Sequence, residues 1–239
     1  MDREVDASLK VDPVDINIRK PAAQFMGWFV AIALTLFLAA GTFRWIAGWC
    51  FLILYFGFAI IITLWMFRHA PGLLQERVTG LEKLEAWDKL FLRLAIICFI
   101  AWFVLMPLDA VRFHWSHMPV WLQIVGGLVL TSSSYLFYLV VRENPYLSPA
   151  IRIQRERGQT VVSSGPYHYV RHPMYSAYIP FILGTAPLLG SWYGVLAGLT
   201  LVVLIALRAL KEERMLLKEL KGYDIYMAQV KYRFIPYVW

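Results

Sequence analysis

Long apolar runs, separated by short polar segments, are the main pattern in this chain. Four of these runs are close to the ~20 residues that a helix needs to cross ~30 Å of hydrocarbon. They predict transmembrane helices at residues 24–41, 45–67, 90–107 and 120–141. The first two runs are joined by a link of three residues, so we expect them to form a helical hairpin.

A fifth apolar stretch runs from Met174 to Leu210 and is broken at residues 187–190. It predicts a second helical hairpin. Its first arm, residues 174–188, is short for a full crossing and is compatible with a re-entrant helix. In the second arm, glycines recur every four residues, which predicts one small-residue face for close helix packing. These glycines are Gly190, Gly194 and Gly198.

Helical periodicity also occurs in the polar segment that follows the second span. Leu74, Val78, Leu81 and Leu84 fall on one helical face, and charged residues occupy the other positions. This pattern is typical of an amphipathic helix lying in the membrane interface. We expect that helix near residues 73–87.

Composition supports a membrane protein over a soluble one. Apolar residues make up 59% of the chain and charged residues only 16%, whereas soluble domains carry about 25% charged residues. The net charge of +7 does not indicate nucleic-acid binding, because the basic residues flank apolar spans. Cys50 and Cys98 lie inside such spans and form no disulfide or zinc pattern.

The chain also lacks a convincing metal-ligand pattern. His114 and His117 have a spacing that suits a metal pair, but no carboxylate or cysteine stands near them in the sequence. We therefore expect interfacial histidines and no metal.

Lysine and arginine are distributed unevenly among the polar segments. Residues 42–44 and 108–118 contain one basic residue each, whereas residues 68–93 and 142–171 contain five each and the tail from Arg208 contains seven. The positive-inside rule places the basic-rich segments in the cytoplasm. Both termini are then cytoplasmic, and the segment after the fourth span faces the same compartment as the tail.

The polar passage Gln154–Tyr175 carries most of the candidate chemistry. Gly165-Pro166 is a turn signal, and Pro173 suits the first turn of a helix. The tail adds ionisable residues at the inner end of the last helix, where such residues are costly unless they are paired or functional. Arg208 and Glu212 are four residues apart, so they share a helix face and can pair. The tyrosines near the C-terminus predict that the tail folds back onto this region.

These residues resemble a known family. The series from Gln159 to Tyr167, followed by Val170-Arg171-His172-Pro173-Met174-Tyr175, looks like the core of the isoprenylcysteine carboxyl methyltransferases (ICMT). The cluster Arg208 to Glu213 and the closing Arg-Phe-Ile-Pro segment look like the family's C-terminal signature. The resemblance covers about residues 140–239. Phospholipid N-methyltransferases share much of the same signature.

The resemblance implies a cytoplasmic site for S-adenosyl-L-methionine, with S-adenosyl-L-homocysteine as product. It implies that the acceptor is aligned by Arg208 and Glu212, with Glu213 beside them. Gln159 stands where some members have histidine, and the spacing from Gln154 to Gln159 is shorter than in eukaryotic members. The positions that match cofactor-binding or motif residues are Gln154, Gln159, Thr160, Val161, Val162, Gly165, Tyr167, Arg171, His172, Pro173 and Tyr175.

We therefore expect an all-α polytopic membrane protein with four transmembrane helices, a C-terminal helical hairpin, a cytoplasmic cofactor-binding loop and a C-terminal helix. A mobile arm (residues 1–23) precedes the transmembrane region (24–141), and residues 142–239 form the methyltransferase core. A soluble Rossmann methyltransferase is excluded, because no glycine-rich loop follows a strand.

Three functions remain open from the sequence. The first is methyl transfer to a lipid-tailed or prenylated small molecule, with a carboxylate acceptor that needs placement by Arg208 and no general base. The second is phospholipid N-methylation, in which Glu212 or Glu213 would take a proton from the amine. The third is a sterol-reductase-like or non-catalytic membrane protein that keeps the same scaffold.

Overall fold

The computed structural model describes residues 19–79 and 86–239. These residues form helices joined by irregular segments, and they contain no strand. A π-helical turn, Leu108–Arg112, extends the fourth helix, and two short 3-10 turns lie between the fifth and sixth helices. The α-helices are α1 (Arg19–Ala40), α2 (Ile46–His69), α3 (Pro71–Thr79), α4 (Ala86–Pro107), α5 (Val120–Glu143), α6 (Pro173–Leu188), α7 (Trp192–Glu219) and α8 (Tyr223–Gln229).

Five segments of the described chain are long and apolar enough to cross a membrane. They are Ala22–Ala40, Ile46–His69, Asp88–Arg112, Val120–Glu143 and Trp192–Glu219. These segments agree with the four predicted spans and with the second arm of the predicted hairpin. The first arm, α6, has 16 residues and is about 24 Å long at 1.5 Å per residue. It is therefore shorter than ~30 Å of hydrocarbon. The fold is compatible with an integral multi-pass membrane protein.

Two predicted boundaries fall partly outside the described residues. Of the N-terminal arm predicted over residues 1–23, residues 1–18 are outside, and α1 begins at Arg19, before the predicted start of the first span. Of the interfacial helix predicted near residues 73–87, residues 73–79 belong to α3, residues 80–85 lie outside the described residues, and residues 86 and 87 are the first two of α4.

Close contact between α5 and α6 depends on two glycines that face each other. A Cβ atom on Gly126 would lie 2.7 Å from the carbonyl oxygen of Gly184 and 2.5 Å from the amide nitrogen of Leu188. A Cβ atom on Gly184 would lie 2.6 Å from the amide nitrogen of Leu130. These distances are shorter than van der Waals contact, so the two backbones can approach this closely only without side chains at these positions.

The predicted glycine face of α7 is confirmed at two of its three positions. A Cβ atom on Gly194 would lie 2.5 Å from Cγ of Met106, and one on Gly198 would lie 2.6 Å from Cγ2 of Ile182. The Nε1–H of Trp102 donates a hydrogen bond of 2.7 Å to the carbonyl oxygen of Gly194. The assignment of Gly190 to this face is wrong, because Gly190 lies in the turn before α7 with a φ of +83°.

The C-terminal segment packs against the segment that precedes α6, which confirms the predicted fold-back. The amide of Arg171 donates to the carbonyl oxygen of Tyr232 at 2.9 Å, and the amide of His172 donates to that of Arg233 at 3.0 Å. From α8, the Tyr226 hydroxyl donates to the carbonyl oxygen of Tyr167 at 2.7 Å. The C-terminal segment and α8 therefore hold the residues just before α6 in place by hydrogen bonds.

Candidate active site

Gln154 organises the first half of the polar loop between α5 and α6. Its side chain is buried, and its Nε2–H donates to the carbonyl oxygen of Tyr146 at 2.6 Å. Its backbone N–H donates to Oε1 of Gln159 at 2.7 Å, and its Oε1 accepts from Arg157 at 2.6 Å. Because these bonds are internal to the loop, Gln154 fixes the loop's shape.

The turn at Gly165 places Tyr167 in the interior. Gly165 has a φ of +55°, a backbone conformation that favours glycine, and a Cβ atom there would lie 2.8 Å from the Glu143 carboxyl group and would displace it. The Tyr167 hydroxyl accepts a hydrogen bond of 2.7 Å from Asn144. Burial raises the pKa of Tyr167 well above its usual value, so the hydroxyl stays protonated and the ring is a neutral wall.

A cavity of about 270 Å³ lies between this loop, α6 and the inner part of α7. Its volume is near the lower end of the range of ~300–1,000 Å³ found for ligand pockets. Polar and aromatic side chains from the loop face apolar ones from α4 and α7. The predicted site residues that line it are Gln159, Thr160, Val161, Val162, Tyr167, Arg171, His172, Tyr175, Arg208 and Glu212.

Four predicted site residues do not line the cavity. Gln154 and Gly165 shape the loop, as described above. Pro173 is the first residue of α6 and is buried, so it sets the direction in which α6 leaves the loop. Glu213 lies behind the cavity wall.

Arg208 is held by α4 and by the loop. Its Nη2 lies 3.3 Å from Oδ1 of Asp88 and donates to the carbonyl oxygen of Pro149 at 2.7 Å. The expected pair between Arg208 and Glu212 does not form, because Asp88 supplies the carboxylate from another helix. The Nε–H of Arg208 is buried and has no hydrogen-bond partner in the described part of the chain. One donor of this guanidinium is therefore unsatisfied.

Glu212 is placed by a tyrosine from α6. Its Oε2 accepts a hydrogen bond of 2.6 Å from the Tyr175 hydroxyl. No lysine, arginine or histidine in the described residues forms an ion pair with Glu212. The cavity wall therefore carries a carboxylate that lacks a cation.

Glu213 has a different environment from its neighbour. Its two carboxyl oxygens accept hydrogen bonds from Nε of Arg171 and, at 2.9 Å, from Nε of Arg233. Both arginines belong to the segments that pack together at the start of α6. The geometry therefore gives Glu213 the role of a clamp between α7 and the C-terminal segment.

His172 is buried at the same junction and also lines the cavity. Its Nε2 is 3.5 Å from Oε1 of Glu213, a separation that does not make a hydrogen bond here, and no other described group partners this nitrogen. A buried polar atom without a partner is uncommon in folded proteins. The ring thus lines the cavity with an Nε2 that has no hydrogen-bond partner among the described residues.

The geometry thus joins the loop after α5 with the charged part of α7, and the comparison with known families covers the same region. Residues 124–218 match the model of the isoprenylcysteine carboxyl methyltransferase (ICMT) family. This match confirms the resemblance to the family, and the closing segment after residue 218 lies outside the match. No curated protein matches the chain. The ICMT segment begins in α5 and ends near the end of α7, so an ICMT domain on a chain with several apolar helices indicates a membrane methyltransferase.

The residues of the cavity fit S-adenosyl-L-methionine, the methyl donor of ICMT proteins in general. The cofactor has a sulfonium cation, and the wall has the unpaired carboxylate of Glu212. It has a polar amino-acid end, and the Tyr223 hydroxyl and His172 Nε2 are buried without a hydrogen-bond partner in the described part of the chain. It also has a flat adenine, and the cavity is lined by several tyrosine rings: Tyr146, Tyr167, Tyr175, Tyr223 and Tyr226.

The sequence did not identify Asp88, although it holds Arg208. Asp88 is fully buried, and its Oδ2 also accepts from the backbone N–H of Ile151 at 3.2 Å. An acidic residue at the first turn of an apolar helix was the available signal, because ionisable residues there are paired or functional. Within residues 19–79 and 86–239, no group of three or more His, Cys, Asp or Glu side chains has the arrangement of a metal site.

Proposed function

We propose that this chain is an integral membrane methyltransferase that uses S-adenosyl-L-methionine and acts on a lipid-tailed acceptor. One observation carries the proposal. The loop residues that match the ICMT cofactor motif and the two charged residues of α7, Arg208 and Glu212, line the same cavity. We also propose that residues 142–239 form the methyltransferase core and that residues 24–141 form the transmembrane region.

In this proposal the loop and the start of α6 hold the cofactor. The loop side chains at Gln159 to Val162 and at Tyr167 would contact the adenosine of the cofactor. His172 would donate or accept a hydrogen bond at the amino-acid end of the cofactor. Gln154, Gly165, Arg171 and Pro173 act indirectly, by fixing the backbone that presents these groups. When bound, the cofactor supplies an electrophilic methyl group.

Glu212 supplies a fixed negative charge next to the position proposed for the sulfonium. The Tyr175 hydroxyl orients this carboxylate by the hydrogen bond of 2.6 Å. The aromatic ring of Tyr175 offers a face to a cation, and such a cation–π contact contributes roughly 0.5–2 kcal/mol. Charges that are oriented before the ligand binds need no reorganisation during the reaction.

Arg208 would align a carboxylate acceptor, as in isoprenylcysteine carboxyl O-methylation. A carboxylate is already ionised at neutral pH, so the site has to supply placement and not a base. The unpartnered Nε–H of Arg208 can donate to such an oxygen, and Asp88 keeps the guanidinium in place. A bound carboxylate would then satisfy a buried donor that otherwise has no partner.

A specific observation also supports an amine acceptor, as in phosphatidylethanolamine N-methylation. Glu212 has no cation partner in the described residues, so it can attract an ammonium group and take its proton. Arg208, in contrast, is already paired with Asp88. An amine acceptor would need this base, whereas a carboxylate acceptor would not.

The membrane orientation follows from the basic residues. We propose that the cavity mouth and both termini face the cytoplasm, because the segments next to the loop and α7 are rich in lysine and arginine. The lipid tail of the acceptor would then enter sideways from the bilayer, since leaving the apolar phase costs about 0.8 kcal/mol per CH₂.

Membranes containing the full-length protein, incubated with a methyl-labelled donor, test the proposal. We expect label in the lipid extract: a base-labile product identifies an ester and a stable product identifies an amine. Membranes carrying Glu212→Gln are the matched blank. Label that does not exceed this blank, together with no binding of S-adenosyl-L-homocysteine to the purified protein, would favour a sterol-reductase-like or non-catalytic protein.

A further inference from the structure

The cations that line the cavity fall into two groups. Three arginines have a carboxylate partner: Arg152 with Glu76 at 2.8 Å, Arg171 with Glu213, and Arg208 with Asp88 at 3.3 Å. Each of these partners is buried. Each of these three guanidinium groups therefore has a carboxylate partner within the fold, although Glu213 is shared with Arg233.

Arg77 belongs to the second group. It lies on α3 and lines the cavity, but no carboxylate of the described residues pairs with it. Its contact is with an aromatic ring: its Cζ lies 5.4 Å from the centre of the Phe137 ring. Stacking of this kind leaves the N–H groups at the edge of the guanidinium plane available to an acceptor oxygen.

The position of Arg77 is on the membrane side of the cavity. Phe137 lies six residues before the end of α5 at Glu143, which is about 9 Å along the helix. Tyr178 lines the same cavity as Arg77 and is 37% exposed on the surface of α6. An unpaired cation at this depth is costly and marks a functional site with an anionic partner.

Arg77 and Arg208 come from separate walls. Arg77 packs on α5, whereas Arg208 is held by α4 and the loop. Among the described residues that line the cavity, Arg77, towards the membrane, and Glu212, on α7, are the arginine and the acidic residue that form no ion pair. This arrangement fits ligands that place an oxyanion next to Arg77 and a cation next to Glu212.

From this we infer that Arg77 binds an oxyanion of the lipid acceptor at the membrane end of the cavity: either a phosphate, or the acceptor's carboxylate, which Arg77 would then share with Arg208. The inference rests on the proposed function, because it takes the ligand to be the lipid-tailed acceptor of a methyltransferase. It assigns to Arg77 the selection of that acceptor and no contact with the cofactor. Acceptors whose head carries a carboxylate or a phosphate bind in preference to lipids of the same tail that lack this group.

Binding of matched lipid pairs to the purified full-length protein tests this inference. The first pair is dihexanoyl phosphatidylethanolamine and dihexanoylglycerol, and the second is N-acetyl-S-farnesylcysteine and its methyl ester. We expect the wild-type protein to prefer the member that carries the phosphate or the carboxylate in at least one pair by about tenfold, and Arg77→Gln to lose that preference. The pair that responds identifies the oxyanion as phosphate or carboxylate. Arg77→Lys keeps the positive charge but lacks the planar guanidinium group, so this variant should retain part of the preference.

Arg142→Gln is the matched control. Arg142 also stacks on a ring of α5, with its Cζ 5.9 Å from the centre of Tyr138, but it is exposed and does not line the cavity. Its substitution should leave the preference unchanged. A preference that survives in Arg77→Gln, or no preference in the wild-type protein, would overturn the inference.

The cofactor analogue separates this inference from the proposed function. The dissociation constant of S-adenosyl-L-homocysteine should be the same in Arg77→Gln and in the wild-type protein. A loss of analogue binding in Arg77→Gln would assign Arg77 to the cofactor carboxylate and overturn the assignment to the acceptor. If the wild-type protein does not bind the analogue but keeps an Arg77-dependent preference for lipids that carry the phosphate or the carboxylate, the proposed function fails while the oxyanion site stands.

Discussion

At the scale of single residues, the charge of Glu212 is the feature with the clearest chemical consequence. Glu212→Gln removes the charge but keeps an oxygen that accepts from the Tyr175 hydroxyl, so the fold should not change. We expect kcat/KM for methyl transfer to fall by roughly 10²-fold or more, as on the loss of a preorganised electrostatic group. Methyl-transfer kinetics and thermal unfolding in detergent measure the two effects.

Glu219→Gln, also on α7, is the control for this prediction. Glu219 is 46% exposed and lies 3.5 Å from an arginine that is 75% exposed, a pair worth about 1 kcal/mol or less. Its substitution should leave both the rate and the unfolding temperature unchanged. Equal rates in the wild-type protein and Glu212→Gln would remove Glu212 from the site.

His172 makes a second prediction at the residue scale. Because its ring lines the cavity and its buried Nε2 has no hydrogen-bond partner among the described residues, His172→Ala should weaken binding of S-adenosyl-L-homocysteine by about tenfold. Isothermal titration of the purified protein measures this. His168→Ala is the control, since His168 is exposed and does not line the cavity. Equal dissociation constants in the two variants would show that His172 does not contact the cofactor.

The residue scale also shows how far sequence reasoning reached. The motif placed Tyr167, Tyr175 and Glu212 in one region, and they do line one cavity. The predicted partner of Arg208 was wrong, because helical spacing reveals only neighbours on the same helix. Asp88 is far away along the chain and becomes a neighbour only when α4 packs on α7.

At the scale of elements, Asp88 connects α4, α7 and the loop. Asp88→Asn keeps an acceptor for the Ile151 amide but leaves Arg208, whose side chain is 15% exposed, without its anion. Breaking a buried pair by removing one partner costs up to about 3–5 kcal/mol. We expect a lower unfolding temperature together with slower methyl transfer. A variant as stable and as active as the wild-type protein would contradict this role.

The contact of α5 with α6 gives a second prediction at this scale. Gly126→Ala places a methyl group within 2.5 Å of the Leu188 nitrogen and should destabilise the fold by about 1–3 kcal/mol. Gly57→Ala is the control, because a Cβ atom on Gly57 meets no atom within 4 Å. Thermal unfolding should separate the two variants, with Gly57→Ala at or slightly above the wild type. A Gly126→Ala protein as stable as Gly57→Ala would contradict the packing.

Periodicity was a better guide to elements that cross a membrane than to their packing. The apolar runs predicted the long helices, because length and composition suffice for that. They did not predict the contact between Gly126 and Gly184, which depends on how α5 and α6 meet. Arg77 was read as part of the polar face of an interfacial helix, whereas the fold turns it towards the cavity.

At the scale of the whole molecule, the proposed orientation predicts opposite exposure for two loops. With Cys50 and Cys98 replaced by alanine, His117→Cys lies between α4 and α5, and Ser163→Cys lies between α5 and α6; both positions are exposed. An impermeant maleimide should label only His117→Cys in intact cells and should label both variants after permeabilisation. The reverse pattern would place the cavity mouth outside the cytoplasm.

A structure determined with S-adenosyl-L-homocysteine bound is the most direct test of the central claim, that the loop after α5 and the charged part of α7 hold one methyl donor between them. The account predicts a ligand that contacts residues 159–162 and also has its sulfur nearest to the Glu212 carboxylate among the acidic groups of the described chain. A ligand that binds elsewhere, or that contacts the loop with Arg208 and Glu212 on the far side of a closed wall, would contradict it.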